Sequence, residues 1–472
     1  MNRNDPVSDG GYQQPSHTGL LKLSDLDGYV GDTVRLMGRN LVPNERYTLV
    51  WHSVEGKWGV LEAHEIVGPQ YRPRTERIES VQADEDGQFE TELEIPEDYG
   101  GEHDIELQTT DGERVATATY EIHPWFEIDR TTAPLGETFT VAGYGLGPNK
   151  FRNNYQVTWD NGNVGFMTAV MNRGTTAAKI RAVGAVGEHP IEVWRNYRGV
   201  PFLQNNTQSP FGSVGGERQS AWTVEVTEPE TEPKVSWVDQ MWDETPFVEH
   251  FPDIDEETDA ELSIMPQSGQ PGTDTFIEGE GFPADTEVDL VWYTHSGDIL
   301  YGGSIAAEPR PDMLPTVTTD EDGRFQTEFT IPPTLGSTRP ILAEVDGRSV
   351  AATGFMIQPK IESFGPTRGP VGTEIEIELS GIGWPMYENA YYFLYDNRPA
   401  GYVCGLNEDD GIIRTELKAA GEPGLHFIEA VPALFEVRED ELDFELKPHL
   451  SHVNNHPMRP LPAMHFTFEV TK

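Results

Sequence analysis

A short glycine-based pattern occurs four times along this chain of 472 residues. Each copy has an anchor glycine, then an alternating polar and apolar strand, then a second glycine-rich turn. The anchors are Gly31, Gly136, Gly272 and Gly372, which are 105, 136 and 100 residues apart. Alternating strands bury their apolar side by pairing into sheets, and about 100 residues make one two-sheet sandwich. The pattern therefore predicts an all-β chain of four β-sandwich modules.

Longer matches show that the four modules alternate in type. Residues 47–52 (Tyr-Thr-Leu-Val-Trp-His) recur as residues 288–293 (Val-Asp-Leu-Val-Trp-Tyr), and residues 187–192 (Gly-Glu-His-Pro-Ile-Glu) match residues 421–429. The order A-B-A-B indicates duplication of a two-module segment. We predict an N-terminal tail 1–18, module A1 19–123, module B1 124–227, an acidic and aromatic linker 228–259, module A2 260–358 and module B2 359–472.

The glycine pattern resembles that of the IPT/TIG family of immunoglobulin-like domains. Residues 369–384 carry Gly-Pro-Val-Gly-Thr followed by Gly381-Ile-Gly383-Trp, and residues 271–282 repeat the arrangement. A1 departs from it, because Asn40 stands where the second glycine is expected, but Asn also adopts left-handed backbone. The resemblance implies immunoglobulin-like sandwiches, which serve in surface proteins, adhesins and virion fibres and as accessory modules of enzymes.

The net charge is −47, from 33 basic and 80 acidic residues spread along the whole chain. Because the chain also has 21 Phe, 16 Tyr and 10 Trp, the acidity does not indicate disorder. It is typical of a folded, haloarchaeal-type protein that works in molar salt, where the Debye length is about 3 Å. The same charge excludes nucleic acid as a partner, since phosphate binding requires a basic surface.

The sequence also bears on location. Residues 1–20 show no signal peptide, and no run of about 18 apolar residues predicts a membrane span. Cys404 is the single cysteine, so an intramolecular disulfide cannot form. We expect an extracellular, cell-surface or virion location, and the cytoplasm stays open.

Two acidic turns suggest calcium. Hard calcium ions prefer several carboxylate and carbonyl oxygens, and the strings Asp-Glu-Asp-Gly supply them. Neither string has the later bidentate Glu of an EF-hand, so a β-turn capped by Asp is the other interpretation. The candidate calcium ligands are Asp84, Asp86, Asp320 and Asp322.

The C-terminal region is rich in histidine, a ligand of zinc and copper. The alternative interpretation is a surface loop, because three prolines interrupt the segment. The candidate ligands are His449, His452, His456 and His465.

The linker carries four large aromatic residues between acids. Such side chains are seldom left in water, so we expect them to dock on a module, and partner binding is the alternative. The residues are Trp237, Trp242, Phe247 and Phe251.

Catalytic motifs are missing from the sequence: Gly-x-Ser-x-Gly is absent, and the glycine pairs do not open helices as phosphate loops do. We therefore predict a non-catalytic structural or interaction protein, elongated in shape, that requires no cofactor. Its expected partners are proteins, including further copies of itself. We expect it to belong to a surface or extracellular assembly in high salt, and one alternative is a virion or tail-fibre structural protein of a halophilic virus. The other alternative is a carbohydrate-binding or enzyme-accessory role, which would be favoured by one flat face exposing Trp58, Trp125, Trp194 or Trp384.

Overall fold

The computed structural model describes residues 19–61, 65–148, 154–195, 201, 217–240, 254–255, 258–299, 305–385, 388–406, 411–437, 444–451 and 461–472. Regular structure in these ranges is entirely β-strand, which confirms the all-β prediction. Within them, no helix has the length and apolar character needed to cross a membrane.

Sandwich A1 has a three-stranded sheet of order β1-β3-β6 facing a five-stranded sheet of order β2-β8-β7-β4-β5. In immunoglobulin terms these are strands A-B-E facing A′-G-F-C-C′, and the A′ strand runs parallel to G. Leu36, Leu49 and Trp51 lie in the core between the sheets. The strands are β1 (Leu20–Leu23), β2 (Asp27–Gly28), β3 (Thr33–Arg39), β4 (Arg46–Leu61), β5 (Glu65–Gln82), β6 (Phe89–Glu94), β7 (Gly101–Gln108) and β8 (Arg114–Ile122).

Sandwich B1 repeats this arrangement, and the linker after it contributes one more strand. The sheet of strands A, B and E faces the sheet of strands A′, G, F, C and C′, with Phe139, Val157 and Ile191 between them. The strands are β9 (Trp125–Ile128), β10 (Thr132–Pro134), β11 (Thr138–Tyr144), β12 (Tyr155–Trp159), β13 (Gly162–Met167), β14 (Thr176–Arg181), β15 (Gly187–Arg195), β16 (Glu217–Thr227) and, in the linker, β17 (Ser236–Val238).

Sandwich A2 has the same two sheets, with a short additional strand, β23, paired to strand C. Its core contains Ile277, Trp292 and Phe355. The strands are β18 (Glu261–Met265), β19 (Ser268–Gly269), β20 (Asp274–Glu280), β21 (Glu287–Ile299), β22 (Ile305–Met313), β23 (Val317–Thr318), β24 (Phe325–Thr330), β25 (Ser337–Val345) and β26 (Arg348–Ile357).

Sandwich B2 carries two additions to the shared arrangement. The linker strand β17 pairs with the G strand, and an inserted strand, β34, pairs with the F strand. Ile377, Phe393 and Phe466 lie in its core. The strands are β27 (Lys360–Gly365), β28 (Arg368–Pro370), β29 (Glu374–Ser380), β30 (Ala390–Tyr395), β31 (Arg398–Cys404), β32 (Ile413–Lys418), β33 (Gly424–Val437), β34 (Phe444–Pro448) and β35 (Met464–Thr471).

The glycine pattern marks two left-handed turns in every sandwich. The four anchors have φ angles of 87° to 93°, and nine residues later φ is again positive, at Asn40, Gly145, Gly281 and Gly381. Asn40 therefore takes the glycine position in A1, as expected. In B2 the first glycine of Gly381-Ile-Gly383 holds the turn, so the Gly-x-Gly alignment of B2 with the other modules is wrong by two residues. The second turn is located by its distance from the anchor glycine, because strand B has the same length in all four sandwiches.

A long polar side chain near the start of strand F is turned inward in every sandwich. Its nitrogen lies 2.7 to 3.1 Å from the carbonyl oxygen of the residue four positions earlier. Where this residue is histidine, its ring also lies against an aromatic residue of strand C, with centroids 4.8 to 5.6 Å apart. We call this contact the F-strand lock; its residues are His103, His189, Arg339 and His426.

The F-strand lock of B2 should make the thermal stability of the chain depend on pH, and the His426→Gln variant should remove that dependence. Burial lowers the pKa of His426, but hydrogen bonds to the Asp396 carboxylate and the Glu422 carbonyl outweigh it and raise the pKa above 6.5. A group whose pKa is raised on folding contributes its full stabilisation at pH values below its pKa in the unfolded chain. That stabilisation is lost as the pH rises through its pKa in the folded chain. We therefore expect the variant to lower the thermal midpoint more at about pH 5.5 than at about pH 8.5. Equal losses at both pH values would mean that His426 acts by packing alone.

The two A–B junctions are built alike. Gly100 of A1 donates its backbone N–H to the carbonyl of Leu146 in B1 at 3.1 Å, and Gly336 of A2 donates to Ile382 in B2 at 2.7 Å. These residues are equivalent in the two halves of the chain. The duplicated segment thus retains the contact between its two sandwiches.

Candidate functional site

Sandwich B2 packs against B1 across the linker. Leu394 and Phe427, on the outer face of the large sheet of B2, belong to the same buried cluster as the B1 core, and Tyr392, Leu425 and Val431 pack beside them. Both faces of this sheet are therefore covered. The chain folds back on itself here, so the sandwiches do not follow one another in a single row in chain order.

B1 meets this face with the flank of its sandwich around strand E. A Cβ atom at Gly136 would lie 2.6 Å from the Phe427 ring, so glycine is needed for the ring to approach. Asn397, in the C–C′ turn of B2, donates from Nδ2 to the carbonyl of Arg181 at 2.8 Å. A cleft of about 870 Å³ lies between the two sandwiches and the linker.

An ionic network lines this cleft, and all of its members except the half-exposed Asp239 are buried. Arg181 of B1 donates from Nη2 to Glu429 of B2 at 2.9 Å and from Nη1 to the Gly136 carbonyl at 2.5 Å. Glu429 also lies 3.0 Å from His465 Nδ1, and His465 Nε2 lies 3.1 Å from Asp239 of the linker. The side chains of Arg181 and Glu429 are 5% and 12% exposed. Buried charges are stable only when compensated, and here two acids compensate Arg181 and His465.

The pKa shifts in the network have a common cause. Burial lowers the pKa of His465, but hydrogen bonds to Asp239 and Glu429 outweigh it and raise the pKa above 6.5. Burial raises the pKa of Glu429, but the positive charges of Arg181 and His465 outweigh it and lower the pKa below 4.5. The stabilisation that Glu429 contributes is lost as the pH falls through its lowered pKa. The stabilisation that His465 contributes is lost as the pH rises through its raised pKa. The network therefore stabilises most between about pH 4.5 and 6.5.

The linker strand covers this network. Strand β17 extends the sheet of B2 by pairing with β35. The Trp237 ring stacks on the imidazole of His465 with centroids 4.6 Å apart, and the Arg181 guanidinium lies 5.1 Å from the Trp237 centroid. Trp237 is thus docked on B2. The other linker aromatics of the prediction, Trp242, Phe247 and Phe251, lie outside the described residues.

The two histidines of the C-terminal group that the structure describes both line the cleft. His449 is 1% exposed, and its ring stacks on Phe166 of B1 with centroids 4.9 Å apart. Beside it, Ser451 Oγ accepts the backbone N–H of Thr168 at 2.9 Å. Together with His465, His449 therefore joins sandwiches. His452 and His456 lie outside the described residues, and among those described no group of three or more His, Cys, Asp or Glu side chains is placed to hold a metal.

The candidate calcium ligands lie in two equivalent turns. Asp84 Oδ1 accepts the backbone N–H groups of Asp86 and Gln88 at 2.9 and 2.8 Å, and Asp320 makes the same bonds in A2. The carboxylates of Asp86 and Asp322 are exposed. Each turn is thus held by its own aspartate, and calcium at these turns stays a prediction.

Replacing Asp84 with Ala tests which interaction holds the turn. Loss of two hydrogen bonds to exposed backbone should cost about 1–2 kcal/mol, whether or not calcium is present. Thermal unfolding of the wild-type chain and of D84A should be followed in molar salt with and without EDTA. We expect D84A to melt earlier and EDTA to change neither midpoint. A midpoint that EDTA lowers in the wild-type chain alone would instead assign calcium to the turn.

The tryptophans proposed for carbohydrate binding do not share a face. Trp58 and Trp194 are buried, in A1 and B1. Trp125 stacks on Tyr144, and Trp384 of B2 stacks on His295 of A2. All four therefore serve packing in different places, which removes the feature that would favour this alternative.

Arg181, Glu429 and Asp239 belong to no motif that the sequence displays, and they were not predicted as site residues. Part of the signal was available, because residues 390–395 (Ala-Tyr-Tyr-Phe-Leu-Tyr) form a continuous apolar run. Such a run predicts a strand that is covered on both faces, and hence a partner for the outer face of B2.

No family model and no curated protein matches this chain. Three solved structures illustrate the similarity that is found. Escherichia coli alpha-2-macroglobulin is 8% identical to this chain, with a TM-score of 0.19. The alignment covers 95% of this chain but only 31% of that protein, so this chain spans about a third of its length. The ICAM-5 D1–D4 ectodomain fragment is 10% identical with a TM-score of 0.17, covering 92% and 99% of the two chains. Spo0M, a sporulation control protein from Bacillus subtilis, is 11% identical with a TM-score of 0.17, covering 43% and 83%. Since these scores are low, the immunoglobulin-like assignment rests on the strand order described above.

Proposed function

We propose that this chain is a non-catalytic structural or interaction protein of a surface or extracellular assembly in high salt. The observation that supports the proposal is that the charged groups of the cleft are engaged in holding the sandwiches together. Arg181, Glu429, His465 and Asp239 bind one another and join B1, the linker and B2. Charged groups that hold sandwiches together in this way have a structural role. Burial also raises the pKa of the Cys404 thiol to about 12, so it is a poor nucleophile.

Adaptation to high salt is supported by acids placed directly opposite each other across neighbouring strands. Like charges in this position destabilise a sheet, and salt screens them. Every sandwich contains at least one such pair; examples are Glu102 and Glu121, Glu188 and Glu225, Glu261 and Glu280, Asp289 and Glu344, and Glu376 and Glu416.

Assignment to the IPT/TIG type is part of the proposal. Its support is the pair of left-handed turns nine residues apart in each sandwich. Modules of this type recognise partners through exposed loops, so we propose that the partners of this chain are proteins. We also propose that it requires no metal.

Location is tested by fractionating the organism that encodes the chain, together with any virus particles it releases, and measuring this chain by mass spectrometry. We expect enrichment in the envelope or extracellular fraction. Enrichment in particles would support the virion-fibre alternative. A cytosolic protein with no binding partner would contradict the proposal.

A further inference from the structure

The F-strand lock of A1 places a hydrogen-bond acceptor at each nitrogen of a histidine ring. His103 Nδ1 lies 3.0 Å from the carbonyl oxygen of His52, and Nε2 lies 2.7 Å from the carbonyl oxygen of Tyr99. Carbonyl oxygens only accept hydrogen bonds, and a neutral imidazole carries a proton on one nitrogen alone. Both bonds therefore form only when His103 is a doubly protonated, positively charged imidazolium.

The locks of the two B sandwiches have the same arrangement, with a carboxylate as one of the acceptors. His189 Nδ1 lies 2.8 Å from Asp160, and Nε2 lies 2.7 Å from the carbonyl oxygen of Ala185. His426 makes the equivalent pair of contacts in B2, at 2.6 and 2.8 Å. An ionised carboxylate also only accepts hydrogen bonds, so both rings donate from both nitrogens.

The lock of A2 is a cation by residue type. Arg339 donates from Nε to the Leu335 carbonyl at 3.1 Å, from Nη2 to the Gly336 carbonyl, and from Nη1 to His295 Nδ1 at 2.9 Å. Burial and the positive charge of Arg339 lower the pKa of His295 to about 3, so this ring is neutral and accepts the bond. A guanidinium group stays charged throughout the pH range in which histidine titrates.

The two A-type locks differ in the charge that faces them. Among the residues that the structure describes, Asp98 is the carboxylate within 4 Å of the His103 ring, at 3.9 Å from Nδ1. Asp98 is 3% exposed, so its charge needs a nearby cation. At the equivalent position A2 has Thr334, whose hydroxyl lies 3.3 Å from that of Thr294. Loss of the His103 proton would leave the Asp98 charge uncompensated and one carbonyl without its donor.

The other titratable groups beside His103 do not replace this charge. Burial raises the pKa of the Tyr99 and Tyr120 phenols to about 12, so both are neutral where histidine titrates. The His52 side chain is 37% exposed and lies 3.1 Å from Glu106. The charge balance at the A1 lock thus depends on His103 and Asp98.

The A1 lock fixes the corner through which A1 holds B1. The Tyr99 carbonyl accepts the hydrogen bond from His103, and the Tyr99 phenol donates to the Val170 carbonyl of B1. The next residue, Gly100, donates its backbone N–H to the Leu146 carbonyl of B1 at 3.1 Å. The corner of A2 holds B2 in the same way, but its lock residue is arginine.

We infer that the F-strand lock must be a cation, so the A1–B1 junction weakens as rising pH removes the His103 proton, whereas the A2–B2 junction, locked by Arg339, does not. The two halves of the chain therefore have junctions of the same architecture with different responses to pH.

Hydrogen exchange at one backbone N–H in each junction tests the inference in the full-length chain. The Gly100 N–H bonds to B1 and the Gly336 N–H bonds to B2, so the two groups are matched probes. Exchange is followed by mass spectrometry in molar KCl at about pH 6 and about pH 9, on either side of the ordinary histidine pKa of about 6.5. Each rate is divided by the rate for the unfolded chain at the same pH.

We expect the protection of Gly100 to fall about tenfold or more at the higher pH, as for one lost hydrogen bond to a charged group, and that of Gly336 to stay unchanged. No change at Gly100, or an equal change at both glycines, would overturn the inference. So would ¹⁵N resonances of the His103 ring that show a proton on only one nitrogen at about pH 6. These resonances are assigned by their absence from the His103→Leu variant.

Two substitutions transfer the A1 lock to A2 as the matched control. Arg339→His combined with Thr334→Asp should give Gly336 the pH dependence of Gly100, and circular dichroism checks that the variant is folded. A folded variant in which Gly336 stays independent of pH would contradict the inference. Should the variant not fold, the comparison of Gly100 with Gly336 in the wild-type chain still decides.

Discussion

Transfer of this chain from molar KCl to about 0.1 M salt should lower its thermal midpoint by about 10 °C or more. At about 0.1 M the Debye length is about 10 Å, longer than the spacing of about 5 Å between cross-strand Cβ atoms. The repulsion between opposed acids such as Glu102 and Glu121, or Glu261 and Glu280, is then only weakly screened. In molar salt the Debye length falls to about 3 Å and the repulsion is screened. Circular dichroism melts across a KCl series measure the effect.

A matched pair of variants separates local repulsion from net charge. One variant neutralises one acid in each of five opposed pairs, and the control neutralises five exposed acids in turns and the linker. Both change the net charge equally, but only the first should markedly reduce the salt needed for folding. Equal effects would show that net charge alone matters. The substitutions are E102Q, E188Q, E261Q, E344Q and E416Q, and for the control E45Q, E85Q, E228Q, E321Q and E422Q.

Replacing Glu429 with Ala should cost about 3–5 kcal/mol, because it leaves the buried Arg181 without its carboxylate. The His465 side chain loses one of its two acidic partners at the same time. We expect an earlier unfolding transition and, by small-angle X-ray scattering, a larger radius of gyration as B2 separates from B1. Combining Arg181→Met with Glu429→Leu should recover most of the loss, since an apolar pair of similar volume avoids both desolvation penalties.

The duplication supplies the control for this experiment. Lys418 occupies the Arg181 position in B2 and is 54% exposed, so Lys418→Met should cost less than about 1 kcal/mol. If E429A and K418M were equally stable and equally compact, the network would not be holding B1 to B2.

Local features of the fold follow directly from the sequence. A positive φ favours glycine or asparagine at any site, so the anchors and Asn40 could be recognised without knowing their neighbours. Alternation in residues 374–379 likewise identifies a half-buried strand. The F-strand lock was only partly visible, because Arg339 replaces histidine in A2 and hides the fourth copy.

The sequence by itself determined the all-β class, the four anchor turns and the relationship between the two halves, because these depend on backbone sterics and on period-two burial within one strand. Only the tertiary structure decided which sandwiches touch and through which surfaces. Arg181 and Lys418 occupy equivalent strand positions, yet one is buried against Glu429 and the other lies in solvent. That difference comes from contacts between residues far apart in the chain, where packing across the linker selects one of two related surfaces.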